Sequence, residues 1–549
     1  MKKIAKWEKH VFILILLSVL FFIIGNTGLS LTNPDEVFYM DSAKEMVKHN
    51  SWLTPYIFGQ PQFEKPIFTY WLIRMGFLMF GITAFAGRIF PAIFALLGVI
   101  SLYILGLAGF GERKKAFYSA LILGSSVLYL GLARTVFTDL IFSMFILFAL
   151  TAFYWGYAKS KKNLGVTLFF VFSALAVLTK GPLGILIPGL VALMFLIWRK
   201  ELKFIFCPAA FWGLVFFAVI AVPWYAYMLK NYGNGFIREF WVNDHLRRVF
   251  VAEHPHNDRW YFYPFSMLGC MFPWTFYVAA GLWSIFKRLK KKLSAFSVFL
   301  VCWLGVVFAI FQPAHSKLVS YIFPLFPALA LIAGDFFVEK VLSRKTGFGR
   351  VLGWVTALIL LIIPVAVRAA AAKYPLYFSS GRVVQILAFL GWVISFGALV
   401  FVFLRKPKPA FFIQAALLPA ILIAIPLTNI DPYVSSRKVS EYLSQQPINQ
   451  SVILCSKAFV RGVHFYTGSR AAVFDSGSDN FFSPHPIPFI NTDKKLRVFL
   501  ASQPITYCVL KKSALDDLQR LAGDNYQIDV LLLVGNEYVL KVEERVLRK

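Results

Sequence analysis

Charged residues are scarce in this sequence. Asp, Glu, Lys and Arg make up 15% of its 549 residues, whereas hydrophobic residues make up 58%. Ordinary soluble domains contain about 25% charged and about 45–50% apolar residues. The composition therefore excludes an ordinary soluble domain and indicates a protein that lies in a membrane.

Acidic residues are scarcer than basic ones, with 27 Asp and Glu against 56 Lys and Arg and a net charge of +29. The basic residues stand in short clusters between apolar runs. This is the positive-inside pattern of membrane proteins, and it does not suggest the basic face of a nucleic-acid-binding domain. We therefore expect no nucleic-acid partner.

Cysteine is also rare. The five cysteines contain no C-x-x-C pair, so the sequence has no cysteine-based metal motif. Only Cys455 and Cys508 lie outside the apolar runs. They are candidates for a disulfide if the tail lies in an oxidising compartment, and two buried thiols are the alternative.

Long apolar runs are abundant, and about 20 such residues cross a membrane as a helix. We predict thirteen spans, at residues 11–31, 89–110, 116–133, 138–157, 164–179, 182–198, 209–228, 262–286, 294–311, 318–337, 351–367, 383–404 and 410–427. No small-residue cleavage site follows the first run, so we interpret it as a retained span and not a signal peptide. Residues 66–80 form a shorter run, which predicts a helix in the membrane interface, with a fourteenth span as the alternative.

The basic clusters also predict an orientation. With a cytoplasmic N-terminus, every cytoplasmic segment carries at least three Lys or Arg, whereas the outer corners near Arg134, Lys180 and Lys317 carry one each. Basic segments stay in the cytoplasm. We therefore expect a multi-pass membrane protein whose loops 32–88 and 229–261, and whose tail, lie outside the cytoplasm.

The composition changes near residue 429. Residues 1–428 carry the spans, whereas residues 429–549 alternate β-rich runs with helical patterns. This alternation predicts a small α/β domain. The fold class is thus an α-helical polytopic membrane protein of about 13 transmembrane helices with a small extracytoplasmic C-terminal α/β domain. The tail has no Gly-rich phosphate loop, and we do not expect it to hold the catalytic centre.

Acidic residues at the outer rim are the first candidates for a functional site, because charge at a membrane edge is costly. Asp35 and Glu36 follow the first span, Glu64 precedes the apolar run 66–80, and Asp139 begins the fourth span. A carboxylate of this kind orients or deprotonates an acceptor. Helix capping is the alternative for Asp35, Glu36 and Asp139.

Cations lie on the same predicted side, at Lys65, Lys180, Arg247, Arg248 and Lys317. Such groups bind a phosphate and stabilise it as it leaves. Acids, cations and apolar walls together suit group transfer from an anionic lipid-linked donor. Glu64 and His245 would also suit a divalent metal such as Zn²⁺ or Mn²⁺, although two ligands form a weak signal.

Six motifs then occur in a characteristic order. They are Pro34-Asp35-Glu36, Phe63-Glu64-Lys65-Pro66, Thr135-x-x-x-Asp139, Leu178-Thr179-Lys180-Gly181, Phe240-Trp241-Val242-x-x-His245-x-x-Arg248 and Lys317-Leu318-x-x-Tyr321. This order resembles the lipid A aminoarabinose transferases, which belong to the protein-mannosyltransferase-like (GT-C) membrane glycosyltransferases. The resemblance covers the whole chain.

The resemblance implies roles for these residues. Asp35 would be the catalytic acid or base, with Glu36 beside it and Asp139 as a second carboxylate. Glu64 and His245 would bind a divalent metal, Zn or Mn/Mg. The donor phosphate would be held by Lys65, Lys180, Arg248 and Tyr321, with Arg247 and Lys317 as further cations. One departure is that Asn243 and Asp244 separate Val242 from His245, where the family pattern has a single residue.

The resemblance also implies the reaction. A monomeric enzyme would transfer a sugar, with 4-amino-4-deoxy-L-arabinose as the leading candidate, from undecaprenyl phosphate to lipid A with inversion. Protein or polysaccharide glycosylation by the same fold is the alternative. A transporter or flippase of lipid-linked sugars is the rival from another class, but it predicts internal repeats and charges at the membrane midplane. The sequence has no repeat, and its charges cluster at one rim.

Overall fold

The structure is a computed structural model that describes residues 6–253, 255–289, 293–343, 347–377, 381–424, 428–448, 451–476 and 487–545. Several basic residues that set the predicted orientation lie outside the described residues, namely Lys2, Lys3, Lys290, Lys291, Lys292, Arg344 and Lys345.

Helices form the N-terminal three quarters of the chain, because long apolar runs satisfy their backbone hydrogen bonds internally as helices. They are α1 (Lys6–Ser18), α2 (Asp35–Lys48), α3 (Phe68–Phe80), α4 (Ala84–Phe110), α5 (Arg113–Gly124), α6 (Val127–Ala133), α7 (Thr138–Ala158), α8 (Lys162–Lys180), α9 (Leu183–Arg199), α10 (Pro208–Phe236), α11 (Arg247–Phe250), α12 (Phe262–Cys270), α13 (Thr275–Arg288), α14 (Ala295–Phe311), α15 (Phe326–Phe336), α16 (Gly347–Leu360), α17 (Ile362–Lys373), α18 (Gly381–Phe403) and α19 (Pro407–Ala424).

Within the described ranges, eight helical segments are long and apolar enough to cross a membrane, or up to ten if each of two bent pairs is one span. The bent pairs are α5 with α6, at 64°, and α12 with α13, at 119°. The polytopic fold is confirmed, but the count of thirteen is not. The predicted spans 182–198 and 294–311 are helices of 17 residues, and the first predicted span begins with α1, which has only 13. A helix of 17 residues lies at the lower limit of the membrane-crossing length, and α1 continues as a π-helix over Val19–Ile23.

The antiparallel hairpin of α7 and α8 lies at the centre of the bundle. Helix α7 is buried along nearly its whole length, as expected of a helix that is hydrophobic all round. A methyl group on Gly156 would lie 2.8 Å from the Cα of Gly165, so glycine lets the two helices approach closely. The hairpin places Asp139, at the start of α7, beside Lys180, at the end of α8.

The helix that begins at Pro208 continues further than predicted. It runs through α10, a π-helical segment at Ile237–Leu246 and α11, and so enters the predicted loop 229–261. Its kink lies at Gly233, where φ is +46°. Asp244 and His245 both lie in the π-helical segment. Because π-helical turns are frequent at functional sites, this segment is a candidate part of the functional site.

The C-terminal region is a small α/β domain, as predicted. Its strands are β3 (Ile453–Ser456), β4 (Ala471–Phe474), β5 (Phe489–Ile490), β6 (Ile505–Leu510), β7 (Tyr526–Val534) and β8 (Glu537–Glu544). A short β1–β2 hairpin (Tyr56–Ile57 and Gln60–Pro61) precedes them, between α2 and α3. The sheet order is β5-β4-β3-β6-β8-β7, parallel from β5 to β6 and antiparallel beyond.

Helices cover both faces of this sheet. They are α20 (Asp431–Val434), α21 (Arg437–Leu443), α22 (Val460–Thr467), α23 (Asp493–Ala501) and α24 (Lys512–Ala522). Helices α21 and α22 pack on one face, and α23 and α24 pack on the other. The domain boundary at residues 428–429 stays a prediction, since residues 425–427 lie outside the described residues.

The candidate disulfide is not formed. Cys455 and Cys508 are both buried free thiols. They lie on neighbouring strands, but Cys455 pairs in register with Val509, and Cys508 with Leu454. Successive side chains of a strand point to opposite faces, so the two sulfurs belong to the apolar layers on opposite faces of the sheet. The alternative of two buried thiols is the one observed.

Candidate active site

One large cavity lies between the helical bundle and the C-terminal domain. Its volume is about 860 Å³, within the size range of sites for small molecules and cofactors. Seven Lys and Arg residues and five Asp and Glu residues line it. They are Lys65, Lys180, Arg247, Arg248, Lys457, Arg461 and Lys511, with Asp35, Glu64, Asp139, Glu253 and Asp475. The excess of cations favours an anionic ligand.

Asp139 and Lys180 form an ion pair in the cavity wall. Lys180 Nζ lies 2.5 Å from Asp139 Oδ1, and 4.7 Å from the ring centroid of Tyr321. The close packing of α7 against α8 sets this pair, because it brings the start of one helix beside the end of the other. The carboxylate and the ring thus hold the ammonium group at the cavity surface.

A second cluster is organised by Asp244. Lys65 Nζ lies 2.6 Å from Asp244 Oδ2 and Arg248 Nη2 lies 3.0 Å from Asp244 Oδ1. Arg248 Nη1 donates a hydrogen bond of 2.6 Å to the Tyr321 hydroxyl. Asp244 therefore fixes two cations from separate segments, one before α3 and one in α11. Both cations also line the cavity.

Asp35 is the carboxylate of the cavity that is most open to a ligand. Its side chain is 63% exposed, and Arg461 Nη1 lies 3.9 Å from Asp35 Oδ1. Asp35 is the first residue of α2, where an acidic side chain complements the helix dipole. The carboxylate can accept a proton or a hydrogen bond from a bound acceptor.

Glu36, the other predicted acid of this motif, lies elsewhere. It is fully buried and is not among the residues that line the cavity. Arg88 Nε donates a 2.7 Å hydrogen bond to Glu36 Oε1, and Arg88 Nη2 donates one of 2.7 Å to Glu36 Oε2. The backbone N–H groups of Thr32 and Val136 also donate to the Glu36 carboxylate. These contacts hold the start of α2 in place, so the geometry gives Glu36 a structural role and not the predicted catalytic one.

Lys317 does not lie where a cation that holds the donor phosphate was predicted. Its Nζ lies 2.7 Å from Asp258 Oδ1, and it is not among the residues that line the cavity. Arg247, in contrast, does line the cavity beside Arg248. The structure thus brings Lys65, Lys180, Arg247, Arg248 and Tyr321 together and leaves Lys317 in a separate ion pair.

The two predicted metal ligands, Glu64 and His245, have different surroundings. His245 Nδ1 lies 2.7 Å from the Phe240 carbonyl oxygen, and the ring also hydrogen-bonds to the backbone of Lys180. Glu64 lines the cavity, whereas His245 does not. Across the described part of the chain, no group of three or more His, Cys, Asp or Glu side chains is placed to hold a metal ion. A metal at Glu64 and His245 stays a prediction, and we derive no step from it.

Comparison with known proteins identifies the family of this chain. A family model described as dolichyl-phosphate-mannose-protein mannosyltransferase matches residues 10–234. An uncharacterised protein of Aquifex aeolicus is 30% identical over 369 residues, which are 66% of this chain and 72% of the relative. The chain belongs to the protein-mannosyltransferase-like membrane glycosyltransferases.

Two further relatives of this glycosyltransferase family are informative. An undecaprenyl phosphate-α-4-amino-4-deoxy-L-arabinose arabinosyl transferase of Pseudomonas fluorescens is 29% identical over 385 residues, which are 68% of each chain. The crystal structure of ArnT from Cupriavidus metallidurans bound to undecaprenyl phosphate shares the fold, with a TM-score of 0.77 at 18% identity over 97% of both chains. The resemblance drawn from the six motifs is therefore confirmed.

Sequence reasoning missed part of this glycosyltransferase site. The tail was not expected to hold the catalytic centre, and its contribution to the cavity wall through Ser456, Lys457, Arg461, Asp475 and Lys511 was not predicted. A signal was present, because Ser456, Lys457 and Lys511 directly follow the β-rich runs at residues 451–455 and 507–510, and α/β domains bind ligands at the carboxyl ends of their strands. Asp244 was also missed, although its spacing of four residues from Arg248 is that of a helical ion pair.

Proposed function

We propose that this membrane glycosyltransferase transfers a sugar from undecaprenyl phosphate to an acceptor outside the cytoplasm. The leading donor sugar is 4-amino-4-deoxy-L-arabinose, and the leading acceptor is lipid A. The relative from Pseudomonas fluorescens bears the name of this donor, and the similar crystal structure holds undecaprenyl phosphate. In this proposal the protein lies in the bacterial inner membrane, with its N-terminus in the cytoplasm and its cavity and C-terminal domain outside.

The observation that carries the proposal is the Asp244 cluster in the cavity wall. Lys65 and Arg248 approach the two oxygens of one carboxylate, and Tyr321 is bonded to Arg248. A donor phosphate beside them would receive charge-assisted hydrogen bonds from both cations. Lys180, held by Asp139, adds a third cation to the same cavity.

This arrangement gives each group a part in the transfer. As the bond between the anomeric carbon and the donor phosphate breaks, its electron pair leaves with undecaprenyl phosphate. Lys65, Lys180 and Arg248 stabilise the negative charge that grows on the leaving phosphate. Asp35, exposed in the cavity, orients the acceptor or removes its proton. A phosphate acceptor is already ionised and needs only the orientation.

Purified protein with labelled donor and lipid A tests this proposal, beside Asp35→Asn and Lys65→Ala. We expect Asp35→Asn to abolish transfer while it binds undecaprenyl phosphate like the wild type. Lys65→Ala should weaken undecaprenyl phosphate binding about tenfold or more, because hydrogen bonds to charged groups are the strong ones. The exposed lysine at the end of α2 supplies a control, since Lys48→Ala should change neither property.

Three results would count against the proposal. Retained transfer by Asp35→Asn would show that transfer does not need this carboxylate. Unchanged affinity of Lys65→Ala for undecaprenyl phosphate would show that the donor phosphate does not bind at Lys65. A folded wild-type protein that binds undecaprenyl phosphate but modifies no lipid A would shift the proposal to another sugar or acceptor.

A further inference from the structure

The carboxyl edge of the C-terminal sheet opens into the cavity. Ser456 ends β3, Phe474 ends β4 and Lys511 follows β6, and all three line the wall. In open α/β sheets, ligands bind outside the carboxyl ends of the strands, at the point where the connections turn to opposite sides. That point lies between β3 and β6, since β3 connects through α22 on one face and β6 connects into α24 on the other.

The strand register places two lysines side by side at this point. Cys455 of β3 pairs with Val509 of β6, so Lys457 and Lys511 reach matching positions two residues later. Neighbouring strands lie about 4.8 Å apart. Ser456 Oγ accepts a 3.0 Å hydrogen bond from the Lys511 backbone N–H, which ties the two strand ends together. Both lysines line the cavity, where their positive charges would attract an anion.

Arg461 links these lysines to Asp35. It lies in the first turn of α22, with Nη1 3.9 Å from Asp35 Oδ1 and its guanidinium 4.6 Å from the centre of the Phe38 ring. The side of the cavity formed by the C-terminal domain thus carries three cations, Lys457, Arg461 and Lys511, against one acid, Asp475. This balance favours a phosphate over a neutral hydroxyl group.

We propose that Lys457, Arg461 and Lys511 bind a phosphate group of the acceptor. The proposal rests on the proposed glycosyl transfer and deepens it, because it names the residues that hold the phosphate of the acceptor. The membrane domain holds the donor phosphate through Lys65 and Arg248, and the C-terminal domain holds the acceptor phosphate. Two phosphates are thereby kept on different walls of one cavity.

The transfer balances in this arrangement. An ionised oxygen of the acceptor phosphate forms the new bond to the anomeric carbon, while the bond from that carbon to the donor phosphate breaks. The electron pair leaves with undecaprenyl phosphate, toward Lys65 and Arg248. No proton has to be removed, so Asp35 and Arg461 act by orienting the attacking phosphate.

Direct binding of diphosphoryl lipid A to the full-length protein in detergent, without donor, tests the proposal. We expect the double variant Lys457→Gln, Lys511→Gln to bind about tenfold more weakly, since each substitution removes a charge-assisted contact. Lys511→Gln alone should show part of this loss. Fully dephosphorylated lipid A should bind wild type and variants alike. Lys512→Gln is the matched control, because Lys512 is the next residue but pairs with Asp516 at 2.8 Å.

Equal affinity of wild type and double variant for diphosphoryl lipid A would overturn the proposal, as would no measurable binding by wild type. A loss of undecaprenyl phosphate binding in the double variant would also overturn it, since the lysines would then serve the donor. Wild type that binds lipid A through its phosphates but transfers no sugar would contradict the proposed function and leave this inference standing.

Discussion

Adjacent acids in the Pro-Asp-Glu motif have different environments. Asp35 is 63% exposed in the cavity, whereas the Glu36 side chain is 0% exposed and is bonded twice to Arg88. The sequence presents both as acids at the membrane rim. Only the folded chain separates them, because Arg88 lies 52 residues away and Val136 lies 100 residues away.

This difference predicts opposite effects of two neighbouring substitutions. Glu36→Gln should destabilise the protein, since removing one partner of a buried ion pair typically costs about 3–5 kcal/mol. Asp35→Asn should leave stability near that of wild type while it abolishes transfer. Thermal unfolding in detergent measures the first effect. A Glu36→Gln protein as stable as wild type, with transfer lost, would restore a catalytic role for Glu36.

At the scale of elements, the contact of α2 with α22 joins the two domains. His464 Nε2 of α22 lies 3.1 Å from Glu45 Oε1 and 3.7 Å from Asp41 Oδ2, both on α2. Lys44, also on α2, donates to the Phe465 carbonyl oxygen. No sequence pattern links these residues, because His464 stands 419 positions after Glu45.

The charges of this contact are sensitive to pH. Burial raises the pKa of Asp41 to about 6, although nearby His464 opposes the shift. Burial also acts on His464, but its bond to Glu45 and the charge of Asp41 outweigh it and raise the His464 pKa. The bonds that Glu45 accepts from His464 and from the Gly59 backbone outweigh burial and lower the Glu45 pKa. Lys44, Lys48 and Arg461 complete the charged groups that face the cluster.

We therefore expect the contact to weaken as the pH rises. The contribution of His464 is present below its ordinary pKa of 6.5 and is lost above its raised pKa. Asp41, with its pKa raised, is easier to bury below about pH 6, whereas Glu45 contributes until the pH falls through its lowered pKa. Each pKa unit is worth about 1.4 kcal/mol. The protection factors of the α22 amides, which correct the exchange rate for its intrinsic pH dependence, should thus be larger at about pH 6 than at about pH 8.5.

His464→Gln tests the origin of this pH dependence, because glutamine keeps a hydrogen-bond donor but does not titrate. The variant should lose much of the difference between the two pH values. His49→Gln, at the exposed end of α2, is the matched control and should retain it. An unchanged difference in His464→Gln would assign the effect to other groups.

At the scale of the whole molecule, the cavity is formed by segments that are far apart in the chain. Its lining extends from Pro34 to Lys511. Local hydropathy predicted the helical bundle and the α/β tail well, since both are set by periodicity within single segments. It could not predict that the carboxyl edge of the C-terminal sheet faces the helical bundle, because that contact depends on tertiary packing.

The predicted orientation is testable in intact cells with a membrane-impermeant thiol reagent. Lys494→Cys, exposed in α23, should be labelled from outside the inner membrane. Lys114→Cys, exposed in the first turn of α5, should be labelled only after the membrane is permeabilised. The parent protein measures the background, to which Cys455 and Cys508 should add little because both are buried. The reverse labelling pattern would contradict the orientation.

The sequence by itself determined the class of this protein. Its hydropathy set a polytopic helical fold, its basic clusters predicted the orientation, and its six motifs identified the glycosyltransferase family. Those features are local, and each can be read from a few neighbouring residues. The tertiary structure alone decided which charges are available to a ligand. Glu36 is buried in an ion pair with Arg88, and Lys317 is paired with Asp258, so neither lines the cavity. The packing of the sheet edge brings Lys457 and Lys511 into the cavity wall. These outcomes depend on distances between segments that the chain order does not encode.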